Sequence, residues 1–246
     1  MNEGPDLQQR FFDVAVRSNA YTKPGRLRTF LNYIFEGVSF QERNVLDVGG
    51  GTGLLTIWAA VNGASAVCLE PESAGATQNV RKVFERMKGE ISSNLQASIS
   101  PEYVQDYLAS CDRKFDVIVM ANSINHIAEK ECSTLLENES SRKAYITFFE
   151  QAKSHLNPGG LLIVTDCDRK NFFGDLGFRS PVMPSIDWSI HQSPTTWGGL
   201  MEQAGLRVTS IKWTTPNFLG SLGQALLGNR VAAYFLFSHF RVVAQV

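Results

Sequence analysis

Several absences narrow this 246-residue chain before any motif is read. Neither charge is in excess: 23 basic side chains stand against 24 acidic ones, a formal net charge of -1. No overall field therefore steers the protein toward polyanions, and nucleic acid is not an expected partner. No apolar run reaches the roughly 20 residues that a bilayer-crossing helix needs. The opening MNEGPDLQQR also lacks the basic start and apolar stretch of an export signal. A cytoplasmic protein without a membrane partner is expected. Cys68, Cys111, Cys132 and Cys167 are scattered, with none of the paired spacing of a metal site, so reduced thiols and no metal are expected. Repeats and low-complexity tracts are missing, and no Gly-Lys-Ser/Thr occurs, which disfavours a phosphate-cradling P-loop. The length suffices for one domain, 1–246, that buries most of the apolar surface its unfolded form exposes.

What is present is concentrated. Val45 to Gly53 read VLDVGGGTG, an apolar run that closes on a carboxylate and alternating glycines. Val45, Leu46 and Val48 suit a strand buried on both faces, while Gly49, Gly51 and Gly53 let the chain turn sharply and leave bare backbone beside a ligand. LLTIWAAV, residues 54–61, follows as a helix whose first N–H groups face whatever lies above the turn. A second apolar run, AVCL, ends at Glu70, where a carboxylate at the neighbouring strand's end can accept both hydrogen bonds of a ribose diol. A nucleoside is therefore the expected ligand. The dinucleotide fingerprint would need a sixth-position glycine counted from Gly49, and Leu54 stands there, which argues against nicotinamide and flavin cofactors.

Strand and helix signals then alternate: a helix over 72–88 stopped near Gly89, a strand near Leu95 to Ile99, and a short helix opening at Pro101. FDVIVM follows from Phe115 as a strand, then a helix at about 141–156 and, after Asn157-Pro158-Gly159-Gly160, the buried run LLIVTD. Ligands of a doubly wound sheet bind outside the carboxyl ends of its strands. Gly49 to Gly53, Glu70, Ala121 to His126 and Asp166 are accordingly expected at one edge.

Asp47, Gly49, Gly51 and Gly53 form an acidic-x-Gly-x-Gly-x-Gly pattern that closely resembles motif I of class I S-adenosylmethionine-dependent methyltransferases. FDVIV with ANSINHI, LNPGGLLIV, and WGGLMEQAGL with RVTSIKW resemble that family's fourth strand, fifth-strand entry, and late helix with sixth strand. VAAYFLFSHFRVVAQV resembles its final antiparallel strand. The resemblance implies an α/β, doubly wound, mostly parallel seven-stranded sheet with an antiparallel last strand. N-terminal helices over residues 1–40 would cover the cofactor, and 128–142 and 168–194 would be substrate-side insertions; the first of these, polar and acidic from Ala128, is expected as a solvated cover. It implies S-adenosylmethionine as cofactor and S-adenosylhomocysteine as product. Tyr21, Asp47, Gly49, Gly50, Gly51, Thr52, Gly53, Glu70, Pro71, Ala121 and Asn122 would contact the cofactor. The family often places an acid after the third strand to meet the adenine; this chain has Ile99-Ser100-Pro101, so Ile99 and Ser100 are the expected adenine contacts.

Methyl transfer from a sulfonium is an in-line displacement that needs alignment, and a base when the nucleophile is a hydroxyl. His126, just past the fourth strand, is the first candidate base, although a histidine at such a junction also serves as a cap. His191 is the second. It lies in SPVMPSIDWSIHQSPTTW, residues 180–197, a long connection of the kind that forms lids and binding loops, where Asp187, Trp188 and His191 are expected at a substrate. His155 and His239 read as structural. The Asn/Asp-Pro-Pro-aromatic motif of base and glutamine methylation is missing after the fourth strand, as is the paired-glutamate loop of arginine methylation. A small hydroxylated acceptor is expected, such as a sugar, a glycan intermediate or a secondary metabolite. A protein that binds the cofactor without catalysis, or a nicotinamide oxidoreductase, are the alternatives. The sequence leaves oligomeric state open.

Overall fold

The computed structural model describes residues 4–71, 79–180 and 186–246, and the first part of the helix expected over 72–88 and residues 181–185 of the long connection lie outside them. The chain is an α/β protein with a seven-stranded mixed sheet. It divides into two compact units, Met1–Met120 and Ala121–Val246.

The first unit contains α1 (Gly4–Arg17), α2 (Pro24–Ile34), β1 (Asn44–Val48), α3 (Leu54–Val61), β2 (Ser65–Leu69), α4 (Val80–Ile91), β3 (Ala97–Ser100), α5 (Val104–Ser110) and β4 (Phe115–Ala121). β1 is parallel to both β2 and β4, and β2 to β3. Parallel strands are buried on both faces, which explains the largely apolar runs of β1 and β4, interrupted by Asp47 and Asp116. α3 is apolar on every side and buried nearly throughout, as a helix without a polar face must be. Phe11 and Phe12 of α1 are fully buried against Trp58, at ring distances of 5.1 and 5.4 Å, so these phenylalanines are core.

The second unit contains α6 (Glu129–Ser133), α7 (Glu139–Ser154), β5 (Leu156–Cys167), α8 (Phe172–Asp175), α9 (Pro194–Gln203), β6 (Arg207–Trp213), α10 (Gly220–Leu227), α11 (Arg230–Phe235) and β7 (His239–Gln245). β7 runs antiparallel between β5 and β6. Its core gathers Tyr145, Phe149 and Trp197, with the Tyr145 and Trp197 rings 4.9 Å apart. Among the described residues no helix is long and apolar enough to cross a membrane.

Four sequence expectations are corrected. Pro101 does not open a helix; α5 begins at Val104, with extended Tyr103 as its N-cap. Asn157-Pro158-Gly159-Gly160 is not a turn ahead of a strand but the exposed start of β5, where Gly159 takes φ +76° and the carbonyls of Gly159 and Gly160 are met by Gln245 and Val246. The final apolar segment is not one strand: Asn229 caps α11 by accepting from the Ala232 N–H at 3.0 Å, and Ser238, at φ +50°, turns the chain into the shorter β7. Residues 128–142, expected as a solvated cover, hold fully buried Cys132 and Leu135, because α6 packs on α7.

Candidate active site

In the first unit the glycine loop closes on itself. Gly49 and Gly50 donate to the Leu69 carbonyl at 2.7 and 3.3 Å, and Gly53 donates to the Gly50 carbonyl at 2.9 Å. Gly49, Gly51 and Gly53 all have positive φ, which side chains resist. Space separates their neighbours further. A Cβ on Gly53 would sit 2.3 Å from the Phe84 ring, and one on Gly50 2.5 Å from Asp47 Oδ2 and 2.6 Å from Cys68 Sγ. A Cβ on Gly51 would meet nothing within 4 Å. The loop is thus packed beneath and open at Gly51.

Asp47 lies beneath it, fully buried, with Oδ2 accepting from the Thr56 hydroxyl at 2.8 Å and Oδ1 without a hydrogen-bond partner among the described residues. Burial pushes its carboxyl up to about 7 against the pull of the Thr56 hydrogen bonds, and the nearby Glu70 charge adds to the rise. Burial likewise holds the Cys68 thiol well above its ordinary range. Glu70, one residue past β2, accepts from the Gly51 N–H at 2.8 Å, and its own N–H donates to the Ser100 carbonyl at 2.9 Å. Thr52, Pro71, Ile99 and Ser100 are half-buried, and the Ser100 hydroxyl donates to Glu102 at 2.6 Å. Tyr21 stacks on Phe30, with ring centroids 5.9 Å apart.

The second unit holds a separate, buried polar cluster. Asp166, near the end of β5, is fully buried. Its Oδ1 accepts from the Cys167 N–H at 2.8 Å and lies 2.9 Å from His191 Nδ1, while Oδ2 has no hydrogen-bond partner among the described residues. The His191 side chain is 11% exposed. With the proton on Nδ1, this pairing leaves Nε2 as a proton acceptor. His239, opposite Cys167 in the β5–β7 register, is depressed to about 4; burial is the main cause, the Asp166 charge opposes it and His191 adds to it. The connection around His191 is pinned from α6: Cys132 Sγ donates to the Ile190 carbonyl at 3.0 Å, and Gln192 Nε2 to the Cys132 carbonyl at 2.7 Å. Tyr145 donates to the carbonyls of Ile124 and Ala128 at 3.1 and 3.3 Å, holding the turn after β4.

The other expected residues sit differently. His126 is more than half exposed, its Nδ1 2.5 Å from Glu129 Oε1. Ala121 is half-buried, and Asn122 is exposed at φ +58° with its N–H on the Thr165 carbonyl at 2.8 Å. Asp187 is spent on the turn that follows it, accepting from the Ser189 N–H and hydroxyl, which hold its carboxyl below the usual range. Trp188 lies with its ring 6.3 Å from that of His191. Among the described residues no three metal-ligating side chains gather. Thr56, Cys132 and Gln192 are partners that the sequence reading did not single out. Thr56, a polar residue in an otherwise apolar helix nine positions after Asp47, was the one detectable signal.

The sequence matches the family model described as a methyltransferase domain over residues 19–211, well over half of the chain. The chain belongs to that family. No curated protein sequence matches it. Its fold is shared with a SAM-dependent methyltransferase from Aquifex aeolicus at TM-score 0.51 and 14% identity, covering 84% of this chain and 84% of that one. It is shared too with the pyocyanin biosynthetic protein PhzM at 0.53 and 17%, covering 88% and 54%. A third is SMU.776, described as a candidate methyltransferase and solved with SAH, at 0.56 and 12%, covering 89% and 49%. The chain thus spans about half the length of several solved structures that it resembles. S-adenosylmethionine is the family's methyl donor, and the loop fits it: bare backbone is open at Gly51, a carboxylate stands at the edge of the loop, and a buried Asp47 oxygen lacks a partner among the described residues.

Proposed function

We propose that this protein transfers the methyl group of S-adenosylmethionine to a hydroxyl of a small molecule, with His191 as the base that takes the hydroxyl proton. The observation that carries the reading is the pairing of His191 with buried Asp166 at 2.9 Å. When bound, the donor supplies an electrophilic methyl carbon on a sulfonium centre. Everything else falls to the chain. Gly49 to Gly53 let a ligand approach the backbone, and Glu70, already held at the loop by the Gly51 N–H, turns a carboxylate to the ribose hydroxyls. Asp47 braces the turn from below through Thr56. Tyr21, Thr52, Pro71, Ile99, Ser100, Ala121 and Asn122 complete the proposed donor contacts.

His191 Nε2 then accepts the acceptor's proton while Asp166 fixes the tautomer and stabilises the imidazolium that forms. A buried carboxylate is effective in this role because little water screens it. His126 is the weaker candidate: its partner Glu129 is itself more than half exposed, where solvent weakens the pairing. Asp187 and Trp188 flank the base and are the proposed acceptor contacts. A sugar, a glycan intermediate or a phenolic metabolite fits a base of this kind, since each offers a hydroxyl that must lose a proton.

The test is transfer from a labelled donor to a panel of hydroxylated sugars and phenols, repeated with His191→Ala and His126→Ala. Turnover is expected to fall about 10³-fold in the first and less than tenfold in the second. Equal turnover by His191→Ala and the parent protein would sink the assignment. Failure of the protein to bind either S-adenosylmethionine or S-adenosylhomocysteine in calorimetry would sink the whole reading.

A further inference from the structure

The stretch from Thr214 to Ser238 contains no Asp or Glu and a single cation, Arg230. It builds α10 and α11, and both are turned inside out. A surface helix ordinarily buries its apolar face. In α10 the residue facing the body of the unit is Gln224: its Oε1 accepts from the Thr214 hydroxyl at 3.0 Å and the Thr215 N–H at 3.1 Å, and its Nε2 donates to the Trp213 carbonyl at 2.6 Å. Leu222 and Leu226 lie two residues to either side, and therefore on the opposite face. They are 70% and 68% exposed. α11 repeats the arrangement, with Ala233 fully buried and Val231 and Phe235 exposed four residues apart. Phe172 of α8 packs on Phe235 at 5.3 Å, and Tyr234 donates to Asp175 at 3.0 Å. Exposed Phe178, just past α8, belongs to the same region. Most of the large apolar side chains exposed among the described residues lie in this region, and clustering of that kind marks an interaction surface.

The polar surroundings say what the surface meets. A cleft of about 160 Å³ is lined by Lys170, Arg230, Trp213, Tyr234 and Asp168. Asp168 is buried and engaged by the Lys170 N–H at 2.9 Å, whereas Lys170 and Arg230 are exposed. Two cations, two amphipathic aromatics and two engaged acids, Asp168 and Asp175, thus border an apolar helical pair that carries no acid of its own. This is the chemistry of a protein lying in a membrane interface: apolar side chains among the acyl chains, Trp and Tyr at headgroup level, Lys and Arg on lipid phosphates.

We propose that α10 and α11 form a peripheral docking face for an anionic bilayer surface, with Leu222, Leu226, Val231 and Phe235 entering the lipid and Lys170 and Arg230 meeting its phosphates. This revises the sequence expectation that membranes are not partners, which rested on the lack of a spanning segment; lying on a bilayer needs none. The proposal does not depend on the methyl-transfer reading.

Co-sedimentation of the full chain with vesicles tests it. The protein is expected to bind phosphatidylglycerol–phosphatidylcholine vesicles, to bind pure phosphatidylcholine vesicles more weakly, and to lose the difference at high salt. Leu222→Asp with Leu226→Asp should abolish binding, and the gentler Leu222→Ser with Leu226→Ser should weaken it, with the circular dichroism unchanged. Lys170→Gln with Arg230→Gln should weaken anionic-vesicle binding roughly 25-fold, about fivefold per cation. Trp213 emission should shift to the blue on binding. No binding to anionic vesicles overturns the proposal, as does undiminished binding by the doubly substituted leucine variants. So does a dimer in light scattering that those substitutions dissociate, which would assign the face to a second copy.

Discussion

The two units place their chemistry by opposite means. In Met1–Met120 the polar groups of interest lie within the 24 residues from Asp47 to Glu70, and their positions follow from backbone geometry: strand, positive-φ turn, helix, strand. In Ala121–Val246 the polar cluster draws Cys132, Tyr145, Asp166 and His191 from four separate elements or connections, and side-chain hydrogen bonds hold it, with His239 beside them opposite Cys167. The first arrangement tolerates little change in shape, because side chains resist positive φ and the space at Gly50 and Gly53 is filled. The second tolerates little change in chemistry, because each member is fixed by the hydrogen bond it makes. Substitutions should therefore fail differently in the two units, and the predictions below run from the largest expected effect to the smallest.

The sharpest break comes from the second unit. Asp166→Asn preserves size while removing the charge that steadies an imidazolium, and it presents His191 Nδ1 with an amide of either polarity. Turnover should drop about 10³- to 10⁴-fold, with S-adenosylhomocysteine affinity in calorimetry within a factor of two or so of the parent. A parallel loss of nucleoside affinity would mean that the cluster supports the fold at large and has no separate role in the reaction.

In the first unit, Gly53→Ala should show that shape dominates. The new Cβ must occupy a left-handed backbone and displace the Phe84 ring from 2.3 Å, so a stability loss of about 2–4 kcal/mol is expected in urea unfolding. Gly51→Ala carries the backbone strain without the clash, and about 1 kcal/mol is expected. Its larger effect should fall on the donor, whose approach it obstructs. Should the two variants unfold alike, the packing beneath the loop is not what distinguishes its glycines. Glu70→Ala comes next: removal of a charged hydrogen-bond acceptor should weaken donor binding about 10- to 100-fold, with little change in unfolding because the Gly51 N–H it leaves is only partly buried.

This contrast also explains what could be read in advance. Residues 54–61, expected as a helix from their place after the glycine turn, and 207–213, expected as a strand from the family resemblance, are so in the structure. The glycine loop was readable because positive φ favours glycine, and glycine is visible in a sequence. The end of the chain was not readable. VAAYFLF has strong strand propensity, but the Asn229 cap and the turn at Ser238 win, and the segment becomes α11 with its apolar face outward. Nor was the pairing of His191, which depends on a carboxylate 25 residues away that only the fold brings to it.

The smallest expected effect is one of pH, and it has opposite signs in the two units. Asp47 is raised from its ordinary value to about 7, so its neutral form is favoured on folding. The stabilisation it contributes is full below the unfolded value near 3.8 and is lost as pH rises through 7, about 1 kcal/mol of it between pH 6 and 8. His239 is depressed from 6.5 to about 4, so the unfolded chain binds the extra proton and stability is lost as pH falls below 6.5, on the order of 1–2 kcal/mol by pH 5. Between pH 5 and 6.5 the two effects run oppositely and nearly cancel, so thermal unfolding of the parent should be almost flat there, with a loss of only about 0.5 kcal/mol from pH 6 to 8. Asp47→Asn, which can still accept from Thr56, should uncover the His239 effect alone, with stability falling below pH 6.5, and His239→Gln should uncover the Asp47 effect alone, with stability rising as pH falls toward 5. If either substitution left the profile flat, the two groups would be titrating as one system, and the division of labour between the units would not extend to their protons.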